Sequence, residues 1–282
     1  MTPYDAPLTG TTATHTGYGY YGYIVTNLET WIGALLRRPR SPAAISPWHR
    51  YGKLLALGGV AIVLSMIFVD QAAIRAVAKL PVWMNRAFNE FTDFGLSGKF
   101  LYPLGILILL IAVIDAPWVV RGSRLVMAAL VARLGFLFTA IATTGIVNTI
   151  LKNQIGRRRP SDLGPFTYQL YAWKGAFASF PSGHTTTAFA VLVAFGALFP
   201  RLRPVLWVYA VLIGMSRVVV SSHYPSDVIG GALLGGFGAL LVRNWFAERR
   251  LAFYVAPDHE VRPLPGPCWA RLKTVAQRFF AK

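Results

Sequence analysis

The sequence predicts an all-α fold, a bundle of six transmembrane helices. Three observations predict it. Hydrophobic residues make up 55% of the 282 positions and charged residues only 14%, where a soluble domain carries about a quarter. The apolar residues collect in six continuous runs without period-two alternation, which reads as helix rather than strand. Lysines and arginines concentrate in alternate connections between those runs, as in helical membrane proteins.

Composition narrows the function classes. Lys plus Arg number 28 and Asp plus Glu 11, a formal charge of +17. In a soluble chain that excess points to nucleic acid. With a mean hydropathy of +0.48 the cations belong in loops beside anionic lipid. Membrane lipids are therefore expected partners and nucleic acid is not. The one cysteine, Cys268, excludes an internal disulfide framework and a multi-thiolate metal site. The opening MTPYDAPLTG has no basic stretch leading into an apolar core, so no cleavable signal peptide is expected. Nothing in the residues speaks to oligomeric state.

Residues 1 to about 50 are rich in Gly, Tyr and Thr and close on a basic patch of Arg37, Arg38, Arg40, Arg50 and Lys53. The early part reads as disordered, and residues 24–36 fit either a short interfacial helix or an ordered tail. The six runs follow: Leu54 to Val69, Leu101 to about Val113, roughly Val131 to Ile150, His184 to Phe199, Pro204 to Val220 and Asp227 to Val242. Crossing the hydrocarbon takes about 20 helical residues, so the shorter runs are expected to extend into flanking semi-polar residues. Only helices or closed barrels can cross lipid. Residues 70–100, with Leu80, Val82, Trp83, Phe88, Phe91 and Phe94 at mixed spacing, read as a segment along the outer interface. Residues 268–282 set Trp269, Leu272, Val275 and Phe279 at helical spacing among cations, the pattern of an interfacial helix, with a solvated tail as the alternative. The domain organisation is then a partly disordered tail over 1–50, a six-helix domain over 51–245, and a basic tail over 246–282.

Charge orients the bundle. With six spans both termini share a side. That side receives the basic patch before the first run, then Arg121, Arg124 and Arg133, then Arg201 and Arg203, and the eight cations from Arg243 to Lys282. The opposite side receives Arg75, Lys79, Arg86 and Lys99, offset by Asp70, Glu90 and Asp93. The positive-inside rule therefore puts both termini in the cytoplasm. The loop from Lys152 to Lys174 breaks the trend, and a basic outward loop needs a chemical reason.

Three clusters supply one, all on the outward side. They are Lys152-x6-Arg159-Pro160 at the end of the third run, Pro181-Ser182-Gly183-His184 at the start of the fourth, and Ser216-Arg217-x5-His223-x3-Asp227 from the fifth into the sixth. Alternating span direction brings these ends to one face. Two helix N-termini point free N–H groups there, and with Lys152, Arg159 and Arg217 they suit a multiply charged anion such as phosphate. Pro225 suits the first turn of the sixth helix, so Asp227 can reach back to His223. A carboxylate on one imidazole nitrogen raises the nucleophilicity of the other. His184, with no carboxylate in its motif, suits a general acid. Ser182 and Gly183 can present a hydroxyl and an N–H to a phosphoryl oxygen.

The clusters resemble the signature of the type 2 phosphatidic acid phosphatase superfamily, which also contains soluble vanadium haloperoxidases and bacterial acid phosphatases. Eleven positions agree in order and internal spacing, without departure, and the resemblance covers roughly residues 54–243. It implies a membrane lipid phosphatase; the charge-derived orientation puts the active site at the extracytoplasmic end of the bundle, and the small motif loops read as bacterial, so an inner membrane is expected. The resemblance implies His223 as the nucleophile that becomes a phosphohistidine, Asp227 as its orienter, and His184 as acid for the leaving group and then base for water. Lys152, Arg159, Ser182, Gly183 and Arg217 would bind the phosphoryl oxygens. No metal and no other cofactor is implied.

Other readings stand beside these. Arg217 and Asp227 also fit interfacial anchors, although ionisable groups at membrane depth are functional by default. His184, His223 and Asp227 fit a zinc site by residue type, but the surrounding cations would repel the ion. Arg157 and Arg158 read as steering charges outside the phosphate shell, and Asp162 as a loop cap. Arg133 and Asp115 read as snorkelling to the inner interface. His15, His49 and His259 read as exposed tail residues. Gly231, Gly235 and Ala239 at four-residue spacing read as a close-packing face. The expected substrate is a phosphorylated lipid: phosphatidic acid, phosphorylated lipid A, or, as the favoured pair, undecaprenyl diphosphate and phosphatidylglycerol phosphate. A lipid phosphotransferase with the same intermediate, and a non-catalytic phosphate-lipid binder or translocator, are the alternatives. The His223–Asp227 pair argues against the second, since binding alone does not require it.

Overall fold

Long apolar runs become helices because their backbone hydrogen bonds close within the segment, and Pro103, inside one such run, does not end it. The computed structural model describes residues 20–40, 45–114, 121–160, 164–267 and 269–280. Helix α1 spans Tyr20–Leu36 and α2 Pro47–Leu64, with Pro47 at a helix start, where its missing N–H is harmless. A π turn at Ser65–Val69 carries α2 into α3, Asp70–Val77. Pro81 then opens α4, Val82–Thr92, and a 3-10 turn at Asp93–Gly95 leads to α5, Gly98–Ile114. Helix α6, Arg121–Ile155, has 35 residues and rises about 52 Å. Helices α7, Gly183–Leu198, α8, Arg203–Val219, and α9, Pro225–Glu248, complete the bundle. A short antiparallel hairpin, β1 (Phe253–Val255) with β2 (Val261–Pro263), and α10, Trp269–Phe280, follow.

Among the described residues, five helical stretches are long and apolar enough to cross a membrane: Pro47–Val77, Val82–Ile114, Gly122–Ile155, Pro200–Val219 and Pro225–Glu248. Their outward faces are apolar. Leu57 is 65% exposed, Phe68 71% and Ile106 57%. Contiguous bare hydrocarbon of this kind calls for lipid rather than water. Helix α7 is as apolar but has only 16 residues. It sits among α6, α8 and α9, with Thr185, Ala188, Ala190 and Ala194 fully buried. A helix enclosed by its neighbours need not match the lipid thickness.

The glycines of α9 permit that enclosure. A Cβ on Gly231 would lie 2.6 Å from the Ser182 carbonyl oxygen, and one on Gly235 2.1 Å from that of Thr186. Ala239 is fully buried. The close-packing face expected of these three positions is the contact of α9 with α7. At the far end of α9, Phe136 packs edge-on against Phe246 and Phe253, with ring centroids 5.5 and 4.7 Å apart.

The N-terminal segment joins that same end. Trp245 Nε1 donates to the Leu35 carbonyl at 3.1 Å, and the Arg40 N–H to that of Glu248 at 2.7 Å. Arg133 donates to the carbonyls of Ala129 and Leu264, both at 2.7 Å, and so ties α6 to the segment after the hairpin. Residues 24–36 fall in α1, and residues 269–280 are helical. His49 and His259 are exposed. The readings of residues 1–19, His15, Asp115, Asp162 and Cys268 lie outside the described residues.

Residues 70–100 do more than skirt the bundle. They form α3, α4 and the turn after α4, and send Asp70, Thr92 and Gly95 into its polar end.

Candidate active site

The C-terminal ends of α6 and α8 and the N-terminal ends of α7 and α9 meet at one end of the bundle. Lys152 lies in the last turn of α6. Arg159 follows in the next loop, its N–H bonded to the Ala176 carbonyl at 2.8 Å. Lys152, Arg159 and Arg217 lie within electrostatic reach of one another. Arg217 Nη1 donates to Thr92 Oγ1 at 2.8 Å. Among the described residues, the buried Nε atoms of Arg159 and Arg217 have no acceptor. Three cations, two of them with a spare buried donor, are a ready seat for an oxyanion.

Ser182 precedes α7 and is fully buried. Its N–H donates to the Asp227 carbonyl at 3.0 Å, and its Oγ accepts from Thr185 Oγ1 at 3.0 Å. Asn148 locks this helix start to α6, donating to the Pro181 carbonyl at 3.1 Å and to Thr186 Oγ1 at 2.9 Å. A Cβ on Gly183 would meet Lys152 Nζ at 3.2 Å, so the glycine leaves the ammonium room beside the α7 N-terminus. Opposite, a Cβ on Gly95 would meet the His184 Cβ and Cδ2 at 3.1 Å. Lys152, Gly183, His184, Asn148 and Gly95 line a cleft of about 190 Å³.

His223 stands in the turn between α8 and α9. Its N–H donates to the Arg217 carbonyl at 3.2 Å, and Ser221 takes the left-handed conformation that makes this turn, with φ +51°. The side chain is buried. Burial pushes the imidazole down to about 4, with Asp227 opposing and Arg159 and Arg217 reinforcing the shift. His223 is therefore neutral at pH 7, the form in which a ring nitrogen is a nucleophile. His184 lies within electrostatic reach of His223, so the two imidazoles lie at the same end of the bundle.

Asp227 is held on every side. Its Oδ2 accepts from Ser179 Oγ at 2.6 Å and the Tyr224 N–H at 2.8 Å, and its Oδ1 from Arg157 Nη1 at 2.6 Å. His223 Nδ1 is 3.6 Å from Oδ2. A carboxylate beside a neutral imidazole, facing three cations, can support nucleophilic attack on phosphorus.

Comparison with known proteins fits this geometry. A model of the PAP2 superfamily matches residues 133–251. A lipid A 1-phosphatase of Rhizobium johnstonii is 36% identical over 235 residues, which cover 82% of this chain and 95% of that protein. The chain belongs to the PAP2 superfamily. A second lipid A 1-phosphatase, of Rhizobium etli, is 44% identical over 126 residues, 44% of this chain and 54% of that protein. Phosphatidylglycerophosphatase B of Bacillus subtilis is 30% identical over 191 residues, 62% of this chain and 84% of that protein.

The PAP2 signature positions thus come together, but they are not the whole site. Arg157 was expected to steer ligands from outside the phosphate shell. It is instead fully buried between Asp70 and Asp227, at 2.7 and 2.6 Å, and cannot meet an approaching lipid. Burial works against its charge, and the two carboxylates more than offset that. Arg158 stays half-buried with its guanidinium 5.6 Å over the Phe177 ring. Asp70, Thr92, Asn148 and Ser179 carry no PAP2 motif letter. Asp70 alone had a signal, an acid at the end of an apolar run, which at membrane depth implies a partner.

Proposed function

We propose that this PAP2 protein is an integral membrane lipid phosphatase that hydrolyses a phosphate monoester or diphosphate of a lipid headgroup through a phosphohistidine. One observation carries the reading: the buried neutral imidazole of His223, beside Asp227, borders the cluster of Lys152, Arg159 and Arg217. Neither simple anion binding nor structural anchoring requires that pair.

In the proposed reaction, Lys152, Arg159, Arg217 and the N–H of Gly183 hold the phosphoryl oxygens, assisted by the Ser182 hydroxyl. His223 attacks phosphorus in line with the lipid oxygen. The bond to that oxygen breaks, and His184, entering the step in its imidazolium form, gives it a proton and is left neutral. The positive ring of phosphohistidine then faces Asp227. Water attacks next, loses its proton to His184, and phosphate leaves with His223 restored. General acid–base help of this kind contributes about 10²- to 10⁴-fold. Fixed cations act where charge develops on the transferring group.

The substrate best supported is lipid A phosphorylated at its 1-position, because the relative matched over 95% of its own length bears the name lipid A 1-phosphatase. A six-span bundle, with α7 as the enclosed sixth helix, would put both termini in the cytoplasm and the site at the outer face of a bacterial inner membrane. The charge asymmetry of the loops supports that orientation.

The test is free phosphate release by purified protein in detergent from bisphosphorylated lipid A, phosphatidic acid, phosphatidylglycerol phosphate and undecaprenyl diphosphate. Turnover of lipid A above the other three is expected. Turnover of none of the four, or full activity in His223→Ala, would overturn the reading.

A further inference from the structure

We infer that Asp70 is a positioning residue for the phosphatase reaction, setting through Arg157 the charge and orientation of Asp227 against His223. The inference rests on the reading of His223 as nucleophile. Asp70 comes from α3, 87 residues before Arg157 in the chain. It is fully buried and accepts four hydrogen bonds. Oδ1 accepts from Ser65 Oγ at 2.9 Å and from the Ser226 N–H at 3.0 Å. Oδ2 accepts from Ser226 Oγ at 2.5 Å and from Arg157 Nη2 at 2.7 Å.

Two routes lead from Asp70 to the nucleophile. The first is mechanical. Ser226 is the residue before Asp227, so Asp70 grips the first turn of α9 by both backbone and side chain. Arg157 completes the grip. Its Nη1 donates to Ser226 Oγ and to Asp227 Oδ1, both at 2.6 Å, and its Nε to the Pro165 carbonyl at 3.0 Å. Its guanidinium also lies 4.5 Å over the Tyr224 ring. The planar fork cannot rotate without breaking several of these contacts.

The second route is electrostatic. Arg157 and Asp227 alone would cancel, leaving His223 beside a neutral pair. Asp70 pairs the other arm of the guanidinium, so the Asp70–Arg157–Asp227 set keeps one net negative charge. The proposed phosphohistidine ring is cationic, and the net charge stabilises it as it forms. Burying three charges is unfavourable relative to an apolar filling of the same volume, so stability alone does not explain the set. Asp70 touches neither imidazole nor any of the phosphate-binding cations, which makes it a positioning residue and not a catalytic one.

Asp70→Asn tests the inference, because it keeps the shape and removes the charge. Phosphate release from bisphosphorylated lipid A in detergent micelles, or from whichever lipid of the panel turns over fastest, gives kcat and KM. The expected result is kcat lower by roughly 10- to 100-fold, as for other outer partners of a reactive group, with KM within about twofold. The double variant Asp70→Asn/Arg157→Gln leaves Asp227 as the sole charge and restores the net value of minus one. It is expected to recover at least about tenfold over Asp70→Asn. A merely structural role would add the two losses instead. Wild-type kcat in Asp70→Asn, or a double variant no better than the single one, overturns the inference. Should Asp70→Asn not fold, the double variant decides: turnover within about tenfold of wild type supports the charge balance, and no turnover refutes it. His223→Ala is run alongside. If it is active, the nucleophile reading fails; if it is dead while Asp70→Asn is fully active, only the role of Asp70 fails.

Discussion

His223 Nδ1 stands 3.6 Å from Asp227 Oδ2, beyond hydrogen-bond length, while the short bonds of Asp227 go to Ser179, Tyr224 and Arg157. The carboxylate is fixed by these three donors, while among the described residues the buried His223 Nδ1 has no hydrogen-bond partner. A modest swing of the imidazole would close the gap as positive charge develops on it. In the proposed reaction the pair would then act most strongly in the transition state, which is where binding energy raises kcat.

Replacing His223 tests the nucleophile directly. His223→Ala is expected to lose phosphate release to background while the protein still purifies as a folded species from membranes. Rapid quenching of the wild type with radiolabelled substrate is expected to trap an acid-labile phosphoryl-enzyme that the variant lacks. Turnover in the variant above about 1% of wild type would refute the assignment.

The burial of His223 has a pH consequence. Its ordinary value is 6.5 and burial takes it to about 4. The unfolded chain therefore binds a proton between these values that the folded chain refuses. Stability from this group is complete above about pH 6.5 and is lost as pH falls to about 4, a loss of roughly 3 kcal/mol. Thermal unfolding in detergent at pH 7, 5.5 and 4.5 checks it. His223→Asn is expected to show a shallower fall over the same window, and a fall as steep as wild type would contradict the shift.

Two glycines should respond differently to alanine. At Gly235 the new Cβ would strike the backbone oxygen of Thr186 at 2.1 Å, so α9 and α7 must separate. Overpacking of that kind costs about 1–3 kcal/mol or more. At Gly183 the new Cβ meets the mobile end of Lys152 at 3.2 Å. Gly183→Ala is expected to lose less melting temperature than Gly235→Ala and to raise KM, because its new Cβ meets side-chain ends, Lys152 Nζ at 3.2 Å and Asn148 Oδ1 at 3.4 Å, rather than backbone. Equal melting temperatures for the two variants would show that the α7–α9 contact accommodates the added methyl.

Vanadate is expected to inhibit competitively, since Lys152, Arg159 and Arg217 can hold its five-coordinate form as they would the phosphoryl group. EDTA is expected to leave turnover unchanged, because the same cations repel a metal ion. Strong inhibition by EDTA with rescue by zinc or magnesium would revive the zinc-site reading of His184, His223 and Asp227.

Thr92→Val removes the acceptor of Arg217 Nη1. A buried donor left without a partner costs about 1–3 kcal/mol. If Arg217 holds the phosphoryl group, kcat/KM is expected to fall about tenfold, and unchanged kinetics would separate Thr92 from the site.

Much of this molecule could be read from the order of its residues. Helical segments follow from unbroken apolar runs, because a lipid-facing backbone has no other way to satisfy itself. The pairing of α7 with α9 was foreshadowed by Gly231, Gly235 and Ala239, since small side chains at four-residue spacing make one smooth face. That the clusters ending at Arg159, His184 and Asp227 meet at one end of the bundle was likewise legible, because alternating helix directions collect those ends.

Partnerships across long separations were not. Arg157 sits two residues before Arg159 and looks like one more exposed cation, yet it meets Asp70 from α3 and Asp227 from α9. Thr92 and Gly95 carry no motif, and their roles arise because the end of α4 packs against α8 and the start of α7. Local sequence sets which segments become helices and which side chains can do chemistry, through short-range sterics and periodicity. Which buried charge meets which depends on how the helices pack. That is a matter of three-dimensional complementarity, in which every buried ion must find a partner, and no one-dimensional pattern encodes it.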